Sequence, residues 1–447
     1  MSKNILLINP WIYDFAAYDF WLKPLGLLYI GSLLRRNSHQ ISFIDCLDPY
    51  HPAMKTIGKK PQRHAYGDGK FFRHVIVKPE PLKMMSRNYC RYGITPDIFR
   101  NDLNCHKDAD IILITSLMTY WYPGVVEAIK IIKEILPHAP IVMGGKYATL
   151  CYDHAVNYSG ADYVISGGGE RQILQLMTDL FNEQPSFEPD SDNLDTLPYP
   201  AFDLIAKIEQ VPLATSRGCP YSCSYCASHI FNDKFRRRDP LKVVDEIEYW
   251  LMNFGVKNFT FYDDALLVDP SEMIIPLLKE VERRKLSCNF HCPNGLHLRE
   301  INKEISQLLY NSCFKTIRFG FETSDFKQQM ETGGKVKNEE LKRAVKFLKS
   351  AGYSTDDIGI YLLCGLPGQK AAEVRDSIDF VRECGAKPVL AEYSPIPGTK
   401  MWDQAVALSP FDIQGEPLYH NNSLLPCRNN DFSVAVYNEL KTSLREK

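Results

Sequence analysis

The sequence lacks an excess of charge of either sign. Its 447 residues carry 52 basic and 54 acidic side chains, which gives a net charge of -2. A protein that holds nucleic acid through the phosphates needs a basic surface, so this balance argues against a nucleic-acid partner and favours a small-molecule substrate. Hydrophobic residues make up 45% and charged residues 24% of the chain, which is the balance of a globular protein.

A long apolar run is also missing at the start of the chain. The opening stretch MSKNILLINPW has one lysine and an apolar run too short for a signal peptide or a membrane span. The sequence therefore predicts a cytoplasmic protein without a membrane span. Thirteen cysteines, an odd number without an export signal, indicate thiols or metal ligands rather than a disulfide framework.

Apolar strands alternate with helical segments in the first part of the chain. This pattern is typical of a parallel sheet covered on both faces, so residues 1–182 are predicted to form a Rossmann-like, doubly wound α/β domain. The stretch 46–109 is far longer than a usual connection and is predicted to be an inserted loop that contacts substrate, decorates the surface or forms an oligomer contact. The strands of the domain are predicted at 4–9, 41–45, 110–116, 140–145 and 162–170.

A second series of strands and helices follows residues 183–210, whose Pro, Asp and Asn content predicts a linker. Residues 211–402 contain six strand and helix pairs and predict a partial (βα)6 TIM-type barrel, because a full barrel needs roughly 250 residues. Residues 403–447 form a C-terminal extension with a predicted final helix in SVAVYNELKTSLREK (433–447). The barrel strands are predicted at 211–216, 259–264, 286–291, 315–321, 357–365 and 388–394.

Three cysteines stand together directly after the first barrel strand. Cys219, Cys223 and Cys226 form CxxxCxxC within TSRGCPYSCSYCASH. Three thiolates in one loop can wrap an iron–sulfur cluster and leave one iron open, whereas structural zinc takes four ligands, usually from pairs of CxxC. A zinc site completed by His229 and a set of three core thiols remain the alternatives.

With this motif, residues 211–400 resemble the core of the radical S-adenosylmethionine (SAM) superfamily. Together with the first domain, they are similar to the subfamily with a cobalamin-binding-like domain ahead of that core. The resemblance implies a 4Fe-4S cluster whose open iron chelates the amine and carboxylate of SAM, and a one-electron cleavage of SAM to a deoxyadenosyl radical. It also implies a low-potential electron donor such as ferredoxin or flavodoxin.

Further segments at strand ends are similar to SAM-binding segments of the superfamily. The segments are YDDALLVDP (262–270), RFGFETSD (318–325), GIYLLCGLPGQ (359–369) and YSPIPGT (393–399). For their carboxylates, a helix N-cap or a surface charge is the alternative. The residues that the resemblance assigns to SAM are Tyr225, Asp263, Asp264, Glu322, Gly365 and Pro395.

The third barrel strand carries a second CxxxC, in SCNFHCPNGL. Cys288 and Cys292 lack the further ligands that a second cluster needs, so they are predicted to be structural. By the same resemblance, Asn294 lines the substrate cavity. Buried structural thiols are also the interpretation of Cys364 and Cys427, and no residue is assigned to catalysis on the substrate.

The first domain lacks DxHxxG, the motif through which some cobalamin domains supply a histidine to cobalt. The loops after its strands are nevertheless similar to those of the subfamily, although their glycines also serve tight turns. Lys146 and Tyr147 stand where relatives often have a smaller residue or histidine. The residues with a candidate role in cobalamin binding are Thr115, Ser116, Gly144, Gly145, Gly167 and Gly168.

The leading hypothesis is therefore a radical SAM enzyme that acts on a small molecule by cobalamin-dependent methyl transfer. One alternative is a cobalamin-independent radical rearrangement, cyclisation or oxidation. A non-enzymatic metal-binding or sensor protein with zinc at the same cysteines is the other. The sequence names neither the substrate nor the oligomeric state.

Overall fold

A computed structural model describes residues 2–444 of the protein. The chain divides after Glu209 into two compact units. In the part of the chain described, no helix combines the length and the apolar character that a bilayer crossing requires.

Residues 2–209 of the first unit form ten strands and seven helices. The strands are β1 (Asn4–Asn9), β2 (Ile12–Asp14), β3 (Gln40–Asp45), β4 (Gln62–Arg63), β5 (Gly69–Lys70), β6 (Arg73–Val75), β7 (Cys90–Tyr92), β8 (Ile111–Ser116), β9 (Ile141–Gly145) and β10 (Tyr163–Val164). The helices are α1 (Leu25–Arg36), α2 (Pro52–Thr56), α3 (Pro96–Asn104), α4 (Tyr122–Ile135), α5 (Lys146–Leu150), α6 (Tyr152–Tyr158) and α7 (Gly169–Phe181).

Five parallel strands form the central sheet of this unit, in the order β10-β9-β8-β1-β3. Apolar side chains of the strands, such as Leu7 and Leu113, pack with Leu33 of α1 and Leu174 of α7 in one buried cluster. This is a doubly wound order with a switch point between β1 and β8, where ligands of such sheets bind at the carboxyl ends of the strands. The predicted Rossmann-like fold is confirmed.

The stretch 46–109, predicted as an inserted loop, is instead folded and held to the chain that follows β1. It contributes β6 and β7 to a three-stranded antiparallel sheet with β2. The indole of Trp11 donates to the carbonyl of Ile94 at 2.8 Å, and the Tyr89 hydroxyl donates to the carbonyl of Tyr13 at 3.1 Å. The insertion is therefore an ordered part of the first unit.

The predicted linker also packs on the first unit. Polar side chains of α1, and of the residue that follows α1, bind this segment. Asn37 donates to the carbonyl of Phe187 at 2.9 Å, and the Ser32 hydroxyl donates to the carbonyl of Tyr199 at 2.5 Å. Arg35 forms an ion pair with Asp203 at 3.0 Å. These contacts hold the segment against α1.

The second unit contains eight strands and nine helices among its described residues. The strands are β11 (Val211–Leu213), β12 (Ser216–Arg217), β13 (Arg236–Arg237), β14 (Asn258–Phe261), β15 (Asn289–His297), β16 (Phe314–Glu322), β17 (Ile358–Cys364) and β18 (Lys387–Glu392). The helices are α8 (Ser228–Phe231), α9 (Pro240–Phe254), α10 (Ile274–Arg283), α11 (Lys303–Asn311), α12 (Phe326–Glu331), α13 (Asn338–Ala351), α14 (Ala371–Glu383), α15 (Trp402–Leu408) and α16 (Val434–Ser443).

Six parallel strands pair in the order β11-β14-β15-β16-β17-β18, each following its neighbour in the chain. Helices connect successive strands, so the predicted partial (βα)6 barrel is confirmed. Aromatic rings pack together between β14, β15 and β16: Phe261 stacks on Phe314 with ring centroids 5.8 Å apart, and the centroid of Phe290 lies 5.2 Å from that of Phe314. The predicted final helix is α16, and its last predicted residues, 445–447, lie outside the described residues.

Candidate active site

The three-cysteine loop starts where β12 ends and runs to the start of α8. Gly218 makes the turn with φ +85°, and a Cβ atom there would lie 2.7 Å from the carbonyl oxygen of Lys234. Only glycine fits such a close approach at a positive φ. Cys223 is buried, Cys219 and Cys226 are half-buried, and the amide of Cys226 donates to the carbonyl of Cys223 at 3.1 Å.

The three thiols are near enough to influence one another. Burial, together with the charges of Asp264, Cys223 and Cys226, raises the pKa of the Cys219 thiol to about 11. Burial also raises the pKa of Cys223 and Cys226. Three such thiols ionise together when a cationic centre binds them, so the donor set fits an iron–sulfur cluster.

The zinc alternative requires His229 as a fourth ligand beside the three cysteines. Within residues 2–444, no three His, Cys, Asp or Glu side chains lie close enough together to hold a single metal ion. His229, the fourth ligand of that alternative, is exposed on α8.

Two other loops hold the cysteine loop. The amide of Ser224 donates to the carbonyl of Thr332 at 3.3 Å, and the amide of Met401 donates to the carbonyl of Ser224 at 2.9 Å. A Cβ atom on Gly333 would lie 3.0 Å from the Cα atom of Cys223. Segments that follow α12 and β18 therefore fix the position of Cys223.

The two adjacent aspartates after β14 have different surroundings. Asp263 is buried and accepts hydrogen bonds from the Thr215 amide at 3.0 Å, the Thr215 hydroxyl at 2.7 Å and the Ser216 hydroxyl at 2.6 Å. These bonds fix the chain that enters the cysteine loop. Asp264 is exposed, accepts from the Ser228 hydroxyl at 2.6 Å and raises the pKa of Cys219 and Cys226. Of the pair, only Asp264 therefore borders the thiols.

Glu322 ends β16 beside a lysine that the sequence analysis did not identify. Its backbone has φ +74°, which is unusual for a residue other than glycine and is typical of functional sites. Lys335 places Nζ 3.6 Å from Oε1 of Glu322, with both side chains largely buried. Burial, followed by the charge of Glu322, raises the pKa of Tyr225 well above its usual range. Lys335 also lowers the pKa of Cys223 against the effect of burial.

The ends of β17 and β18 complete this edge of the barrel. Tyr225 packs against the buried cluster that contains Leu366, Tyr393 and Met401. Gly365 turns with φ +79°, and its amide donates to Oε1 of Gln369 at 2.8 Å. Pro395 is buried in the segment that follows β18. Tyr225 thus lies among the segments that follow the last two barrel strands.

The structure also places the other residues singled out from the sequence. The side chain of Asn294 is exposed and donates to the carbonyl of Tyr262 at 3.2 Å. The remaining thiols considered are buried: Cys288, Cys292, Cys364 and Cys427.

In the first unit, the residues considered for cobalamin all lie at the carboxyl ends of neighbouring strands. Thr115 and Ser116 end β8 in register with Gly144 and Gly145, which end β9. A Cβ atom on Gly145 would lie 2.2 Å from the carbonyl oxygen of Ser116, so this glycine serves the packing of its own sheet. Tyr147 is buried, stacks on Tyr122 and interacts with His154, so it does not project from the edge.

The two glycines after β10 have open space around them. Gly167 has no atom within 4 Å of an added Cβ, and Gly168 has only a carboxylate oxygen of Glu170 at 3.6 Å. Both are exposed. This part of the edge leaves room for a large ligand to approach the backbone, which fits a cobalamin site.

Comparisons with known proteins agree with this architecture. The model of the Radical SAM superfamily matches residues 213–381, and that of the B12 binding domain matches residues 95–176. An uncharacterized methyltransferase of Pyrococcus horikoshii is 25% identical over 67% of this chain and 70% of its own. Cytidylyl-2-hydroxyethylphosphonate methyltransferase of Streptomyces wedmorensis is 23% identical over 93% of this chain and 84% of its own.

Solved structures share the fold over nearly the whole chain. The radical SAM methyltransferase TsrM from Kitasatospora setae, with cobalamin and a [4Fe-4S] cluster bound, aligns with a TM-score of 0.66 and 16% identity. The alignment covers 92% of this chain and 79% of TsrM. The cobalamin-dependent enzyme OxsB aligns with a TM-score of 0.61 and 15% identity, over 94% of this chain and 57% of OxsB.

The fold and the three-thiol loop define a class of enzyme in which a Rossmann-like domain is followed in the sequence by a barrel that carries a metal cluster. Residues 213–381 carry a radical SAM domain, and residues 95–176, ahead of it in the sequence, carry a B12-binding domain. SAM and a 4Fe-4S cluster are the cofactors of the radical SAM domain.

Proposed function

We propose that this protein is a cobalamin-dependent radical SAM methyltransferase that acts on a small molecule. The observation that carries the proposal is the loop of Cys219, Cys223 and Cys226, held at the mouth of a partial barrel that follows a B12-binding domain. The named methyltransferase that aligns with 93% of this chain supports methyl transfer as the reaction class.

In this proposal the three cysteines ligate the cluster through their thiolates. The bound cluster supplies the electron that cleaves a carbon–sulfur bond of SAM to give a deoxyadenosyl radical. Glu322 and Lys335 offer one charge of each sign to the amine and carboxylate groups of SAM, and Asp264 adds a second carboxylate beside the thiols. Tyr225 provides an aromatic face, among segments of β17 and β18, for the adenine.

Cobalamin would lie on the carboxyl edge of the first unit, where it serves as the methyl carrier. Gly167 and Gly168 allow its close approach to the backbone, because neither has a side chain nor crowded surroundings. Thr115 and Gly144 end the neighbouring strands and line the same edge. The proposal also includes a low-potential one-electron donor, such as ferredoxin or flavodoxin, because the cluster must be reduced before each cleavage.

The decisive experiment is spectroscopy on anaerobically reconstituted protein. We expect a reduced 4Fe-4S signal in electron paramagnetic resonance (EPR) that changes on addition of SAM, and a bound corrinoid in the absorbance spectrum. Replacing Cys219, Cys223 and Cys226 together by Ala should remove the cluster signal. The matched control is Cys288→Ala with Cys292→Ala, which removes a CxxxC pair buried elsewhere in the barrel. A cluster signal that survives the triple replacement would contradict the proposal.

A second candidate is a radical SAM reaction without cobalamin. It is favoured by Gly145, whose requirement for glycine is already explained by contact with Ser116 in the same sheet. Purification with added hydroxocobalamin distinguishes the two functions. A protein that cleaves SAM but retains no corrinoid would establish this second candidate.

A further inference from the structure

A buried imidazole next to the cysteine loop lacks a hydrogen-bond partner. His297 ends β15 with 1% of its surface exposed, and within residues 2–444 its Nδ1 atom is buried without a partner. Buried polar atoms of folded proteins are nearly always paired, so an orphaned one points to a group that binds there.

One neighbour of His297 belongs to the cysteine loop itself. The ring of Tyr221 meets the imidazole edge to face, with centroids 4.7 Å apart and planes inclined by 60°. Tyr221 stands midway between Cys219 and Cys223 in the sequence. The imidazole is therefore packed directly against the loop that carries the thiols.

A second neighbour of His297, Lys335, also borders these thiols. His297 pairs in register with Gly320 of β16, and a Cβ atom on Gly320 would lie 2.9 Å from Nζ of Lys335. Residues paired in a parallel register point to the same face of the sheet. Lys335 lowers the pKa of both Cys223 and Cys226, so its ammonium group borders the thiols. His297 thus neighbours two residues that each border the cysteines.

His297 is held in its neutral form. Burial, followed by the charges of Lys335 and Arg299, lowers its pKa to about 3. A neutral imidazole carries one N–H donor and one acceptor nitrogen. The side chains of Lys335 and Arg299 are donors only and cannot accept a hydrogen bond from the imidazole N–H group. Thiolates and sulfides are acceptors only, so the N–H group can donate to a sulfur atom.

We propose that His297 is a positioning residue that donates its ring N–H to a sulfur atom of the cluster assembly and so raises the reduction potential. The inference rests on the proposed function, because it requires a cluster on Cys219, Cys223 and Cys226. Hydrogen bonds to the sulfurs stabilise the more negative, reduced state of an iron–sulfur cluster. The hydrogen bond from His297 would thereby make it easier for the electron donor to reduce the cluster before SAM is cleaved.

The test is an EPR-monitored redox titration of the reconstituted enzyme without SAM. His297→Phe keeps the ring against Tyr221 but removes the N–H group. We expect the ratio of oxidised to reduced cluster at the wild-type midpoint to rise about tenfold, the effect of one hydrogen bond, which is about 59 mV for one electron. His297→Gln, whose amide can donate, should recover part of the shift. The matched control His291→Phe should leave the midpoint unchanged.

A measurement on the wild-type protein removes any dependence on how the variants fold. Protein labelled with ¹⁵N-histidine should show a nitrogen coupling to the reduced cluster in pulsed EPR, and the His291→Phe protein should show the same coupling. If a cluster forms without that coupling, or if His297→Phe has the wild-type midpoint, the inference is wrong while the proposed function stands. If wild-type protein forms no cluster, the proposed function itself fails.

Discussion

Nζ of Lys335 and Oε1 of Glu322 lie 3.6 Å apart, and both occupy the space where a side chain on Gly320 would begin. Glycine at position 320 therefore lets an anion and a cation lie side by side against the strand. Their separation is that of a loose ion pair, and both groups can turn to a ligand that carries its own ammonium and carboxylate.

Replacing Glu322 by Gln should weaken SAM binding about tenfold or more, because a hydrogen bond to a charged group contributes about 1.5–3 kcal/mol. Cluster content should stay unchanged, since Glu322 is not among the thiols. SAM titrations followed by the EPR signal of the cluster measure this affinity. Glu331→Gln is the control, because Glu331 is exposed and pairs only loosely with Lys327. Equal SAM affinities for the two variants would refute the role assigned to Glu322.

Gly333→Ala should lower the iron content after reconstitution several-fold. The new Cβ atom would lie 3.0 Å from Cys223 Cα, and the φ of +121° disfavours any side chain. Gly334→Ala is the matched control: its φ of +62° is left-handed, and its Cβ would meet only the end of Met330 at 3.7 Å. Gly334→Ala should lower the free energy of unfolding by about 1 kcal/mol and leave the iron content unchanged. Iron and sulfide analysis measures both variants. Equal contents in the two would contradict the conclusion that the segment after α12 fixes the position of Cys223.

The neighbouring aspartates should respond differently to truncation. Asp263→Ala leaves buried donors of Thr215 and Ser216 unpaired, so we expect a loss of about 2–4 kcal/mol in the free energy of unfolding. Asp264→Ala removes an exposed side chain and should change stability by less than about 1 kcal/mol. Denaturant unfolding of the apoprotein measures both. A similar loss in the two variants would contradict the buried role of Asp263.

Gly168→Leu should reduce the bound corrinoid several-fold without lowering the melting temperature. The fold has room for the side chain, whose Cβ atom would meet only the end of Glu170. Cobalamin bound at the edge of the sheet would clash with the new leucine side chain. Absorbance spectra of the purified variant report the corrinoid, and the cluster signal of the same sample shows that the second unit is intact. Undiminished corrinoid would place cobalamin elsewhere.

Asp45 gives the first unit a predictable pH dependence. Burial raises the pKa of Asp45 to about 6, above its ordinary value of 3.8. The folded state therefore holds this proton more tightly than the unfolded chain, and stability falls as the pH rises from about 4 to 6. Asp45→Asn lacks this decline, so its stability relative to wild type should increase by about 2–3 kcal/mol between pH 4 and pH 7. Unfolding curves of both proteins at the two pH values measure this difference. An equal difference at pH 4 and pH 7 would contradict the prediction.

Strands and the cysteine loop were predictable because their signals are local. A run such as NILLIN identifies a buried strand by itself, and CxxxCxxC needs no knowledge of distant residues. Lys335 and His297 carry no such signal, because their surroundings depend on the register between β15 and β16, which shifts between Cys292 and Leu296. Asp263 and Asp264 show the same limit, since adjacent carboxylates took opposite environments.

The segment that returns to α1 has a consequence for the timing of folding. Its contacts join residues 150 to 168 positions apart, such as Asn37 with Phe187 and Arg35 with Asp203. During synthesis, the first unit therefore cannot complete its surface when α7 emerges from the ribosome. It must wait for about twenty further residues, and a fragment cut after α7 would leave Ser32, Arg35 and Asn37 without the chain that they bind in the complete protein.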